Sequence, residues 1–270
     1  MKNDNLNETE TISVDDAVHR IGVGKFQRQV LFATGTCFMA DSLQVILVSI
    51  LSRKLQKLWL YDDSTTSTIM SCLFIGATAG SVVLGPLADR IGRKPVLLYS
   101  AGIIALFGLL MALCSNYIEL LPAVLCVGIG IGGLTVPFDI LAEFLPTHNR
   151  GYYLLSIKYF WTVGSMLAPL LAYISFELAD SWRLFCIISV VPSVLSFITG
   201  MQVVPESPRW LVSKGRKDEA MYVLRKAAEI NGLDPYEVLP EGCELEDSEA
   251  EEADIMELFT VSLFFIYYDL

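Results

Sequence analysis

The chain has 270 residues, 53% of them hydrophobic and 18% charged, with a mean hydropathy of +0.52 and a formal net charge of −11. A soluble domain of this size is seldom so apolar, which points to a polytopic membrane protein. Most of the negative charge sits in the two tails, and without a basic patch it argues against a nucleic-acid partner.

Residues 1–25 are polar and are expected to form a disordered tail. Six apolar runs of membrane-spanning length follow: Gln29 to Leu51, Ile69 to Leu87, Val96 to Cys114, Leu120 to Phe144, Tyr152 to Phe176 and Trp182 to Val204. They predict an all-α fold with a six-helix transmembrane domain over residues 26–204. A polar loop carrying Arg53, Lys54 and Lys57 joins the first two runs. The second and third are joined by Gly85-Pro86-Leu87-Ala88-Asp89-Arg90-Ile91-Gly92-Arg93-Lys94-Pro95, read as a compact charged turn. Gly85 and Gly92 permit a tight backbone there, and Pro95 suits a first helical turn. Gly76 and Gly80, and again Gly128 and Gly132, have the small-xxx-small spacing that lets two membrane helices approach closely.

The basic residues set the expected orientation. Thirteen fall on the side of the charged turn: Arg20, Lys25, Arg28, Arg90, Arg93, Lys94, Arg150, Arg209, Lys214, Arg216, Lys217, Arg225 and Lys226. Four fall opposite, Arg53, Lys54, Lys57 and Arg183. The richer side, with both termini, is expected in the cytoplasm. After the sixth run, residues 205–257 read as a cytoplasmic linker. It holds an amphipathic helix, Asp218 to Ile230, and an acidic cluster from Glu241 to Glu257. Leu258 to Leu270 is apolar but too short to cross a bilayer, and reads as the start of a truncated seventh helix.

Charge inside a span is costly and marks candidate chemistry. Asp41 lies midway between Arg28 and Arg53, near the bilayer centre, and is the candidate cation or proton site, with Gln44 nearly one turn on. Tyr159 and Trp161 are candidate lining residues. Asp139 and Glu143 share a helix face and are expected to pair with Arg90, Arg93 or Arg150. Lys158 is expected to snorkel to the surface. The cysteines and the lone His19 and His148 show no metal-ligand or disulfide spacing. No catalytic set, cofactor motif or metal cluster stands out, so an enzyme is not expected. Gly128 to Gly133 resembles a nucleotide loop only in composition, since it sits within an apolar run.

Three motifs converge on one family. The charged turn from Gly85 to Lys94 resembles the signature loop between helices two and three of the major facilitator superfamily. Ala142-Glu143-Phe144-Leu145-Pro146 with Arg150-Gly151, and Pro205-Glu206-Ser207-Pro208-Arg209-Trp210-Leu211, resemble the signatures after helices four and six in its sugar-porter-like branch. Gly22 to Gln27, Met39-Ala40-Asp41 and Met256 to Thr260 are similar to the synaptic vesicle 2-related group. The resemblance implies a twelve-helix transporter of two six-helix halves, each of two inverted three-helix repeats, with a small organic solute between them and a proton or cation as possible partner. It implies a gating role for Gly85, Asp89, Arg90, Gly92, Arg93, Glu143, Arg150, Glu206 and Arg209. The chain then corresponds to the N-terminal half, which needs either a C-terminal half or a second copy. The family often carries an Arg where Val124 stands here. A protein of this shape that binds partners through its tails, without transport, is the other expectation.

Overall fold

The computed structural model describes residues 11–246. The acidic residues beyond Glu246 and the run Leu258 to Leu270 lie outside the described residues. The described chain is helical apart from turns and one two-residue parallel pairing, Thr11–Ile12 with Glu244–Leu245.

Helix α1 spans Val14–Ile21, α2 Lys25–Trp59, α3 Asp63–Ile91, α4 Arg93–Met111 and α5 Tyr117–Ile131. A single 3-10 turn, Gly132–Leu134, leads into α6, Thr135–Glu143. Helix α7 covers Thr147–Tyr173 and relaxes into a π-turn over Ile174–Leu178. Helices α8 (Trp182–Ser189) and α9 (Val191–Val203) follow, broken near Pro192. Helices α10 (Pro208–Ser213), α11 (Lys217–Asn231) and the single turn α12 (Pro235–Val238) come next. Among the described residues, six helical stretches are long and apolar enough to cross a membrane, matching the six runs seen in the sequence.

The ends of these spans differ from expectation. Arg53, Lys54 and Lys57 are not in a loop but on the last turns of α2. Its 35 residues at about 1.5 Å each exceed the roughly 30 Å hydrocarbon core, so the helix runs on into water. Nothing in those turns breaks a helix until Leu60 adopts the left-handed conformation. Asp62 then caps α3 by accepting the Thr65 amide and hydroxyl, which hold its carboxyl below its ordinary value. The charged turn is shorter than expected too. Helix α3 continues through Gly85 and Pro86 to Ile91, and only Gly92, at φ 108°, breaks it. Residues 11–25 are ordered rather than disordered. Ser13 caps α1 through the Asp16 amide, and Ala17, Val18 and Ile21 are buried.

Packing follows small residues. Helices α3 and α5 touch backbone to backbone: a Cβ on Gly76 would collide with the Leu125 carbonyl, and one on Gly128 with the Leu73 carbonyl. Gly128→Leu should therefore cost at least about 1–3 kcal/mol by overpacking, read as a lower melting temperature and a smaller monodisperse fraction on size exclusion. Helix α2 runs through the bundle with α7 and α9 against it. The buried stripe of α7, Ile157, Gly164, Ala168 and Ala172, faces α2.

Two apolar cores result. One, at the Arg93 end, joins Phe26, Val96, Ile140 and Phe144 to Ala17, Leu211 and Leu224 of α1, α10 and α11. The other, at the Trp59 end, gathers Leu47, Leu51, Leu73, Val124 and Phe185. Exposed apolar side chains on the spans, such as Phe74, Ile75, Val82 and Val83 along α3, form the kind of belt that lipid covers.

Candidate functional site

At the Arg93 end the ends of several spans are tied by polar contacts. Helix α4 starts with free backbone N–H groups and the positive end of its dipole. The Glu206 carboxylate, from the segment after α9, meets them: its Oε1 accepts the backbone N–H groups of Arg93 at 2.8 Å, Lys94 at 3.2 Å and Ser207 at 3.0 Å. Gly92 makes room, since a Cβ there would strike that carboxylate. The Arg93 guanidinium turns toward α6, with Glu143 at 2.7 Å and Asp139 at 3.6 Å. Glu143 also accepts the Ser207 hydroxyl, and Ser207 Oγ in turn accepts the Trp210 amide and caps α10. The Trp210 indole N–H donates to the Asp89 carbonyl at 2.9 Å. Spans three and four and the segment after span six are thereby cross-linked.

The sequence pointed to most of these residues but not to all of their partners. Arg93 and Glu143 pair as expected. Asp89 contributes its backbone carbonyl, and Gly85 is an ordinary helical residue with open space around its Cα. Arg90 is exposed at the end of α3. Arg150 does not reach Asp139 or Glu143: it pairs with Asp15 at 3.5 Å and donates to the Leu145 carbonyl at 3.3 Å. Arg209 holds the same Asp15 at 2.5 Å. Asp15 was missed because it lies in a stretch read as tail. The available signal was Ser13-x-x-Asp16, a helix-start pattern. Both Asp15 pairs are substantially exposed, so Asp15→Ala should cost only about 0.2–1 kcal/mol. Hydrogen exchange across residues 14–21 should accelerate while the overall melting temperature hardly moves.

Deeper in the bundle, Asp41 is fully enclosed, and among the described residues neither carboxylate oxygen has a hydrogen-bond partner. Gln44 is enclosed with it; its Nε2 donates weakly to the Ser189 carbonyl at 3.4 Å, while its Oε1 and the Ser189 hydroxyl are unpartnered. Val124, at the position expected to hold an arginine in the family, is an ordinary fully buried core residue. The other two expected lining residues do not join Asp41. Tyr159 is 72% exposed on α7, and Trp161 is half-buried against the apolar core of the Arg93 end. Lys158 does more than snorkel. Its ammonium lies 5.1 Å from the Phe38 ring centre and 5.9 Å from that of Phe138.

With this geometry in place, comparison with known proteins is decisive for the family. The sequence profile described as "Sugar (and other) transporter" matches residues 22–266. The chain belongs to this family. It is 32% identical to the synaptic vesicle 2-related protein of Xenopus laevis over 96% of the chain and 47% of that relative. It is 33% identical to the organic cation/carnitine transporter 7 of Arabidopsis thaliana over 81% of the chain and 43% of that relative. The chain thus spans about half the length of these relatives. Among solved structures, the partially occluded, inward-open xylose transporter XylE from E. coli superposes with a TM-score of 0.67 at 20% identity, over 79% of this chain and 58% of XylE. That likeness establishes the fold. The six spans form the N-terminal half of a major facilitator fold, close to the synaptic vesicle 2-related group.

Proposed function

We propose that this chain is the N-terminal half of a secondary transporter that moves a small organic solute by alternating access, coupled to a proton or another cation. In this reading the Arg93 end faces the cytoplasm, which the distribution of basic residues supports. The contacts among Arg93, Glu143, Glu206 and Ser207 form a latch that holds one gating state, with Asp89, Arg150 and Arg209 securing its edge through Trp210 and Asp15. The solute binds between this half and its complement, where transporters of repeated architecture place their sites.

The observation that carries the coupling is Asp41. An ionised carboxylate within a span costs roughly 2.5–3.5 kcal/mol even on insertion scales, and this one has no hydrogen-bond partner among the described residues. A bound proton or small cation removes that cost. Three residues further along α2, Gln44 Oε1 is unpartnered too, as is the hydroxyl of Ser189, whose carbonyl Gln44 contacts. The name of one structural neighbour, a proton:xylose symporter, supports the coupling, and that of one relative, an organic cation/carnitine transporter, supports only that the solute is a small organic molecule. The test is solute uptake by the full-length protein in proteoliposomes under an imposed pH gradient. Uptake should rise with the inward proton gradient and collapse when a protonophore dissipates it. Gradient-independent accumulation would remove coupling from the account.

A further inference from the structure

Lys158 takes no part in the latch or in the Asp41 enclosure, yet it sits inside a span. It lies eleven residues beyond Thr147, about 16 Å along α7. A lysine that merely escapes to the headgroups leans along its own helix. This one is held over aromatic rings from two other spans, Phe38 on α2 and Phe138 on α6. Such contacts within about 6 Å stabilise an ammonium but leave its N–H donors open. No ion pair among the described residues includes Lys158, and the residue is exposed although the Phe38 beneath it is only 2% exposed. First, fourth and fifth spans therefore converge on one open, positively charged spot with an aromatic floor. Phe38 also lies three residues before Asp41 on α2, hence close to the same face.

We propose that Lys158 selects the solute, and that the solute is a small organic anion: a carboxylate held by the ammonium, its apolar body resting near Phe138. This rests on the transport reading above and gives its solute a charge. A monoanion entering with one proton carries no net charge, which fits an anion contact at Lys158 and a proton on Asp41.

The test measures binding, so it stands apart from coupling. Purified full-length protein is titrated calorimetrically with benzoate, benzyl alcohol and benzylammonium, which share a ring and differ in charge. Wild type should bind benzoate about ten-fold more tightly than the other two, the size of one charge-assisted hydrogen bond. Lys158→Gln should bring benzoate down to the level of benzyl alcohol, and Lys158→Glu should turn the preference toward benzylammonium. Lys158→Arg should keep the anion preference, which separates lost recognition from lost folding. Lys54→Gln, whose ammonium lies over Phe176 at the other end of the bundle, should change nothing. No charge preference in wild type, or an unchanged preference in Lys158→Gln, would overturn the proposal. Normal benzoate binding without gradient-driven uptake would instead count against coupled transport alone.

Discussion

On the proposed transport reading, Arg93→Ala should lower the stability of the proposed latched state by about 3 kcal/mol and abolish most uptake. The Glu143 side chain is only 8% exposed and that of Arg93 24%, so the pair is mostly withdrawn from water. Removing one partner of a buried pair leaves the other as an uncompensated charge, at about 3–5 kcal/mol. The residual exposure of Arg93 places this pair at the lower end. Asp139 gives no relief, since it is a second carboxylate beside the same gap. Glu143→Gln should do less harm, because an amide can still accept the Ser207 hydroxyl while the orphaned Arg93 reaches Asp139. The two changes share one contact, so Arg93→Ala/Glu143→Gln should cost clearly less than the sum of the single variants. Thermal melts of the full-length protein give these differences. Uptake should follow the same order, because a latch that cannot close leaves one gating state unsupported. Additive losses would mean that Arg93 and Glu143 act separately.

The spans were plain in the sequence because bilayer crossing demands long apolar runs, and six such runs stand between charged segments. Their ends were not plain. Arg53, Lys54 and Lys57 are good helix formers, and helical hydrogen bonding does not stop where the lipid stops. Gly85-Pro86 has turn composition, but a helix that already packs on both sides of a proline can keep its course. The break falls at Gly92, where positive φ and the nearby Glu206 carboxylate both exclude a side chain.

At the candidate site, the pairing of Arg93 with Glu143 was legible from helix spacing and charge. The roles of Asp15 and Ser207 were not, because each depends on a chain segment brought back from far away. The depth of Asp41 could be counted from Arg28 and Arg53, but its lack of a partner could not. That Tyr159 lies outside the Asp41 enclosure has a simpler reason. Successive helical residues point about 100° apart, so α7 can turn Lys158 toward Phe38 and Phe138 while Tyr159 points outward.

Asp41→Asn is the second variant with a large expected effect. Asparagine keeps the size of the side chain and removes the charge, so the helix packing around it should survive. Neutralising an enclosed, unpartnered carboxylate should leave stability unchanged or raise it, which a defect in folding would not do. Gradient-driven accumulation should nevertheless disappear, leaving at most downhill exchange of solute. The direct measurement is proton movement itself: full-length protein is reconstituted with a pH-sensitive dye inside the vesicles, and solute is added outside without an imposed gradient. Wild type should acidify the lumen as solute enters, and Asp41→Asn should take up solute with no pH change. Equal acidification by both proteins would contradict the assignment of Asp41 as the coupling residue.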